Sequence, residues 1–216
     1  MLLDTGFVER GRHQVVKTAE TPDEAARLRR EADLLDVAAH PGLVEVVDFA
    51  DGSQPVLRTS YVGVSLAEGP PLEIDEVAGV AAAVASTLAD LHDLGLVHAA
   101  VQPSHVLLDG DGRPVLCGLG HGGLTGERLP AGDGDGDGDE MLDPAGDVAG
   151  LGRLITYLVN RSPESGRGGA AEELRRIACA ATASSAADRP SAHRVADDVH
   201  DSVPGARLPG RSAAPA

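Results

Sequence analysis

The sequence predicts an α+β fold, with strands gathered early in the chain and helices later. Three observations carry this prediction. Short apolar runs bounded by turn residues recur through the first 58 residues, apolar residues at helical spacing dominate beyond Asp75, and Leu96 to Gly120 reads as loop, strand, tight turn and strand. A chain of 216 residues fits one domain, or two small lobes packed as one.

In chain order, Phe7-Val8 and Gln14 to Lys17 are expected strands. Thr21-Pro22-Asp23-Glu24 is a capping box. Thr21 caps the helix, Pro22 takes its first position, and Glu24 reaches back to the cap amide. Ala25, Leu28, Ala32 and Leu35 give that helix its apolar face, Arg27, Arg29, Arg30 and Asp33 fall elsewhere, and His40-Pro41-Gly42 stops it. Leu43 to Val47 and Val56-Leu57 follow as strands, and Ser60 to Leu66 as a connecting segment. Asp75 is the expected cap of a well-buried helix with Val77, Val80, Ala81, Val84, Leu88 and Leu91 on one face. Val106 to Leu108 and Val115 to Cys117 form a hairpin around Asp109-Gly110-Asp111-Gly112. Further helices are expected near 147–160, 170–182 and 191–200, and residues 205–216 as a disordered tail.

Composition excludes several function classes. A formal charge of −16 argues against nucleic acid and anionic membrane surfaces, which are met by clustered Lys and Arg. The apolar stretch Val77 to Leu91 is too short and too polar to span a bilayer. Two cysteines, Cys117 and Cys179, do not make a disulfide framework, so a reducing cytoplasm is expected, and no signal peptide is visible. With aromatics at 2%, the core must be built from Ala, Val and Leu, and modest stability is expected. The basic residues are 17 Arg and one Lys, Lys17, and the Ala, Gly, Asp and Arg bias points to a GC-rich bacterial genome.

Ordered landmarks over about residues 5–200 resemble a protein kinase of the bacterial serine/threonine type. These are Val15-Val16-Lys17, Glu31 in the capped helix, His98-Ala99-Ala100 with Pro103, Gly118-Leu119-Gly120, Asp147-Val148-Ala149-Gly150-Leu151-Gly152 and Asp188-Arg189-Pro190-Ser191. The resemblance implies a two-lobed kinase-like fold with a shortened β-rich N-lobe over 1–58, a hinge over 59–66 and a mostly helical C-lobe over 67–204. Lys17 is similar to the lysine of V-A-I-K, and Glu31 to the helix glutamate that orients it toward the phosphates of ATP. Val15 and Leu107 then line the adenine pocket. His98, Asp147 and Arg189 match structural positions, with Asp147 accepting loop amides.

The catalytic positions depart from the pattern. Ala100 replaces the base Asp, Gln102 the loop Lys, His105 the magnesium-binding Asn, and Gly118 the D-F-G Asp. A positioned base contributes roughly 10²–10⁴ in rate, and metal neutralisation several kcal/mol, roughly. Gly6-Phe7-Val8 matches only the end of a glycine-rich loop, and A-P-E is reduced to Leu142-Asp143-Pro144. The implied protein is a pseudokinase, a regulatory or scaffolding module that docks a protein partner such as another kinase or its substrate. It requires no cofactor and no metal, and holds ATP, if at all, without magnesium. The alternative is a divergent kinase using Asp109, Asp111 and His105 as substitutes.

Other motifs carry less. Asp133, Asp135 and Asp137 match the start of a calcium loop, but its twelfth position falls on Pro144 and no flanking helices frame it. No zinc spacing joins His92, His98, His105, His121 and Cys117, and no G-x-S-x-G marks a hydrolase nucleophile. Thr125 reads as an ordinary loop residue in the segment after Gly118.

Overall fold

The computed structural model describes residues 7–10, 14–128, 141–166 and 168–210. Gly6, the acidic tract from Gly132 to Glu140 and residues 211–216 lie outside the described residues. The chain has a small sheet in its N-terminal part and a helical C-terminal part.

Strands β1 (Phe7–Arg10), β2 (Gln14–Thr18), β3 (Val46–Ala50) and β4 (Val56–Ser60) form an antiparallel sheet in the order β1-β2-β4-β3. In its register Lys17 lies opposite Val8 on one side and Leu57 on the other. Helix α1 (Pro22–Ala38) interrupts the strands and starts as its capping box dictates. Thr21 Oγ1 accepts the Glu24 amide at 3.2 Å, and Glu24 Oε2 accepts the Thr21 amide at 3.0 Å. Its buried face is Ala25, Leu28, Ala32 and Leu35, joined by Glu31.

The strand expected over Leu43 to Val47 begins later, at Val46. The Val44 amide is already committed, donating to the Leu116 carbonyl at 3.0 Å, and Leu116 donates to Gly42 O at 2.8 Å. The stretch before β3 is thus stitched to the hairpin of β6 (Val106–Leu108) and β7 (Pro114–Leu116). Cys117 leaves that hairpin, its amide donating to His105 O at 3.0 Å. Residues of the connecting segment also reach it, through Leu108 N to Val64 O at 3.1 Å and Leu66 N to Val106 O at 2.9 Å.

Helix α2 (Ile74–Asp93) is capped two positions before the expected Asp75. Glu73 is its cap, and the Glu73 amide donates to Glu76 Oε2 at 3.1 Å, so Asp75 lies in the first turn. Two-residue strands β5 (Leu96–Val97) and β8 (Gly123–Leu124) pair beyond it. Helices α3 (Pro144–Arg161), α4 (Gly168–Ala181) and α5 (Ala192–Ser202) complete the chain. Leu88, Leu91, Leu151, Leu154, Ile155, Leu174, Ile177, Val195 and Val199 are almost wholly buried among them. Small residues replace aromatics by allowing close approach. A Cβ at Gly152 would stand 2.9 Å from the Ala181 Cβ, so α3 and α4 meet there nearly backbone to backbone.

Residues 205–208, part of the tail expected to be disordered, lie against α2, and the Pro209 carbonyl closes on Gly112 of the hairpin turn. Arg207 pairs with Glu73 and with Glu76 (2.8 Å), its amide donates to Asp75 O at 3.0 Å, and Pro209 is buried. The carbonyl of Arg207 approaches Gly79 so closely that a Cβ there would stand 2.1 Å away. A charge-complementary contact 131 residues distant holds a segment that has no periodicity of its own. Among the described residues no helix is long and apolar enough to cross a membrane.

Candidate functional site

Lys17 comes from the centre of the sheet and Glu31 from the middle of α1, 14 residues on, and the two meet at 2.6 Å. Both are buried, at 6% and 0% exposure. Burial opposes the lysine's charge, but the Glu31 carboxylate and the Cys117 sulfur outweigh it and hold the Lys17 pKa above its ordinary value. Glu31 Oε1 also accepts the amide of Gly118 at 3.1 Å, so one carboxylate ties sheet, helix and the segment after β7 together. Its other oxygen, Oε2, has no hydrogen-bond partner although it is buried. Val15 lies two residues from Lys17 and shares its face of β2. Leu107 is half-buried on β6, opposite Val115 and bridged to Ser65.

A second carboxylate organises the loop. Asp147, in the first turn of α3 and wholly buried, accepts the amide of Ala99 at 2.7 Å and that of His98 at 2.8 Å. His92 Nε2 approaches the same carboxylate at 3.0 Å. Ala99 has φ +60, a left-handed conformation that costs a residue with a Cβ about 1–3 kcal/mol. The two charge-assisted bonds from Asp147 hold it there.

His98 is completely buried, and its ring contacts settle its tautomer. Nδ1 accepts the Ala100 amide at 3.2 Å, so Nε2 carries the proton and donates to the Cys117 carbonyl at 3.1 Å. Burial, offset only in part by Asp147, lowers its pKa to about 4.

The four positions that differ from the kinase pattern lie together. Ala100 presents only a methyl group, and its carbonyl accepts from His105 Nδ1 at 2.8 Å. Gln102 Nε2 lies 3.3 Å from the same ring nitrogen. The His105 ring, 8% exposed, packs against Gly118, where a Cβ would stand 3.0 Å from its Cε1 and Nδ1. Gly118 has φ +86, which also disfavours any other residue. Burial and the nearby Lys17 charge press the His105 pKa down, against the opposing Ala100 bond. Imidazole therefore fills the space where a side chain at position 118 would extend, and the carboxylate nearby, Glu31, is engaged by Lys17 and the Gly118 amide.

A nucleotide phosphate could meet the Lys17 ammonium, although Glu31 already holds that group. The positions that would meet a nucleotide-bound magnesium carry Gly118 and the His105 imidazole, neither of which offers a carboxylate. Among the described residues no three His, Cys, Asp or Glu side chains are placed to hold a metal ion, which includes Asp109, Asp111 and His105.

Arg189 Nη1 donates to Ala145 O at 3.0 Å and its Nε to Ala183 O at 2.8 Å. It thus pins the start of α3 with backbone carbonyls. The segment after Gly118 folds back: Gly126 N donates to Leu142 O at 2.8 Å and Leu142 N to Glu127 O at 2.9 Å.

Sequence reasoning missed three participants. Arg30 holds this segment to α1 through Glu127 Oε1 at 2.7 Å and Gly122 O at 3.2 Å. Cys117 lies close enough to Lys17 to act on its charge. His92 joins Asp147. Adjacency to Glu31 and to Gly118 was the available signal for Arg30 and Cys117; His92 had none, since its partner is 55 residues away.

No protein-family model matches the chain. Over 111 residues it is 28% identical to a probable serine/threonine-protein kinase MRK1 homolog of Encephalitozoon cuniculi. The match covers 46% of this chain and 35% of that protein, so it spans about a third of the relative's length. The similarity indicates a kinase-like relation, and the sheet-then-helix architecture is compatible with it.

Proposed function

We propose that the chain is a catalytically inactive, protein kinase-like module of bacterial signalling that acts by binding a protein partner, such as another kinase or its substrate. The observation that carries this reading is the His105 ring seated against Gly118 and bonded to Ala100 O. Base and metal carboxylates are both missing from that point, and a methyl and an imidazole occupy it. The kinase-like similarity and the buried Lys17–Glu31 pair support the scaffold half of the proposal. The division into lobes at a hinge over 59–66, the bacterial type and a cytoplasmic location belong to the same reading.

Transfer of label from γ-labelled ATP to a generic acceptor protein, with magnesium and separately with manganese, is the test. We expect no incorporation above a Lys17→Met control in either metal. Incorporation above that control would return the divergent-kinase reading. A second reading, a nucleotide held through Lys17 without metal, rests on the 2.6 Å Lys17–Glu31 pair. It requires ATP in EDTA to raise the melting temperature, by an increment equivalent to about 2.7 kcal/mol at 100 times Kd.

A further inference from the structure

A cavity of about 630 Å³ lies between the end of α1, the turn after it, β3 and the start of the connecting segment, and Lys17 is not among its lining residues. This is within the size range that ligands and short segments fill. Leu35, Leu43, Val44, Val46, Val62 and Val115 give it an apolar floor. Asp36, Glu45 and Asp109 contribute three carboxylates from three separate elements, and Tyr61 stands at the mouth, 39% exposed.

Among the described residues no Lys or Arg lines the cavity. Asp36 and Glu45 are exposed and make no ion pair with any described residue, while Asp109 uses Oδ1 for the Asp111 and Arg113 amides, each at 2.8 Å. Among the described lining residues the one imidazole, His40, is engaged at both ring nitrogens. Nδ1 accepts the Gly42 amide at 3.0 Å, so Nε2 carries the proton toward Asp90 at 2.9 Å. An apolar floor under an uncompensated acidic rim is complementary to a cation on an apolar stem, which describes arginine. The Tyr61 ring adds a face for its guanidinium.

The geometry also specifies an extended partner. Val46 opens β3, and β3 is the edge of the sheet among the described residues, so its outer backbone groups have no neighbouring strand. A partner strand can add there while alternate side chains enter the cavity.

We propose that this cavity docks an extended segment of a partner protein carrying arginine between apolar residues. The proposal deepens the reading of the chain as a binding module, but it uses none of the groups around Lys17. Phosphate transfer would overturn the earlier reading and leave this one standing.

The test profiles the full chain on a library of nine-residue peptides with one randomised position at a time around a central arginine. It is compared with an Asp36→Asn/Glu45→Gln variant, whose changes are exposed and leave the core intact. The expected result is selection of arginine flanked by apolar residues, with Kd at least tenfold weaker in the variant and rising with salt. Tyr61→Ala should weaken the same peptides without changing the melting temperature. Absence of selection, or selection that the variant retains, would overturn the proposal. So would equal binding of free agmatine, which would reassign the cavity to a small cation. Concentration-dependent dimerisation abolished by the variant would reassign it to a second copy of the chain, with the same consequence.

Discussion

Lys17 and Glu31 are each other's main compensation for a buried charge, and the orphaned Glu31 Oε2 shows that the compensation is incomplete. Removing one partner leaves the other charged and desolvated. Lys17→Met should therefore destabilise the chain by about 3–5 kcal/mol. The double change Lys17→Met/Glu31→Leu, which removes both charges, should recover much of that loss. Urea denaturation of the two variants decides the matter, and a double variant no better than the single would contradict it. Such a result would assign the pair's value to the Gly118 amide that Glu31 also holds.

At the level of elements, α1 carries the clearest local instruction. Thr21→Ala removes the oxygen that accepts the Glu24 amide and should cost about 1 kcal/mol, read as a lower denaturation midpoint with an unchanged slope. That helix was legible because its cap and its apolar spacing lie within one stretch of chain. The later start of β3 was not legible, since the Val44 amide is taken by Leu116, 72 positions further on in the numbering and carrying no local mark. The cap of α2 was misplaced for a similar reason. Two carboxylates on either side of Ile74, Glu73 and Asp75, could each serve locally, and tertiary partners decide: Arg207 pairs with Glu73, and Glu164 accepts the Ile74 amide at 3.1 Å. In the site, the identity of each position could be read from the motifs, but their packing could not. Nothing in the residues around His105 says that its ring lies on Gly118.

For the whole molecule, buried neutral histidines make stability depend on acid. His98 has an ordinary pKa near 6.5 and a folded value of about 4, so the unfolded chain binds the proton first as pH falls. Its contribution is complete above pH 6.5 and is lost progressively toward pH 4, and His105, also shifted downward, acts in the same direction. His98 alone should remove about 2 kcal/mol between pH 7 and pH 5. Unfolding free energies measured across that window should slope less in His98→Gln, and parallel slopes would contradict the assignment. The sequence pI of about 4.7 bounds the experiment from below, because net charge no longer keeps molecules apart there.

The His105 ring resting on Gly118 also bears on how this chain can change over generations. Gly118→Asp alone would set a side chain 3.0 Å from the ring and on a backbone with φ +86. His105→Asn alone would shorten the side chain beside a glycine that offers it no carboxylate. Neither substitution brings a metal closer when made singly, and each disturbs a buried contact. The two residues form an epistatic lock, and a route toward metal-dependent chemistry must pass through intermediates that gain nothing.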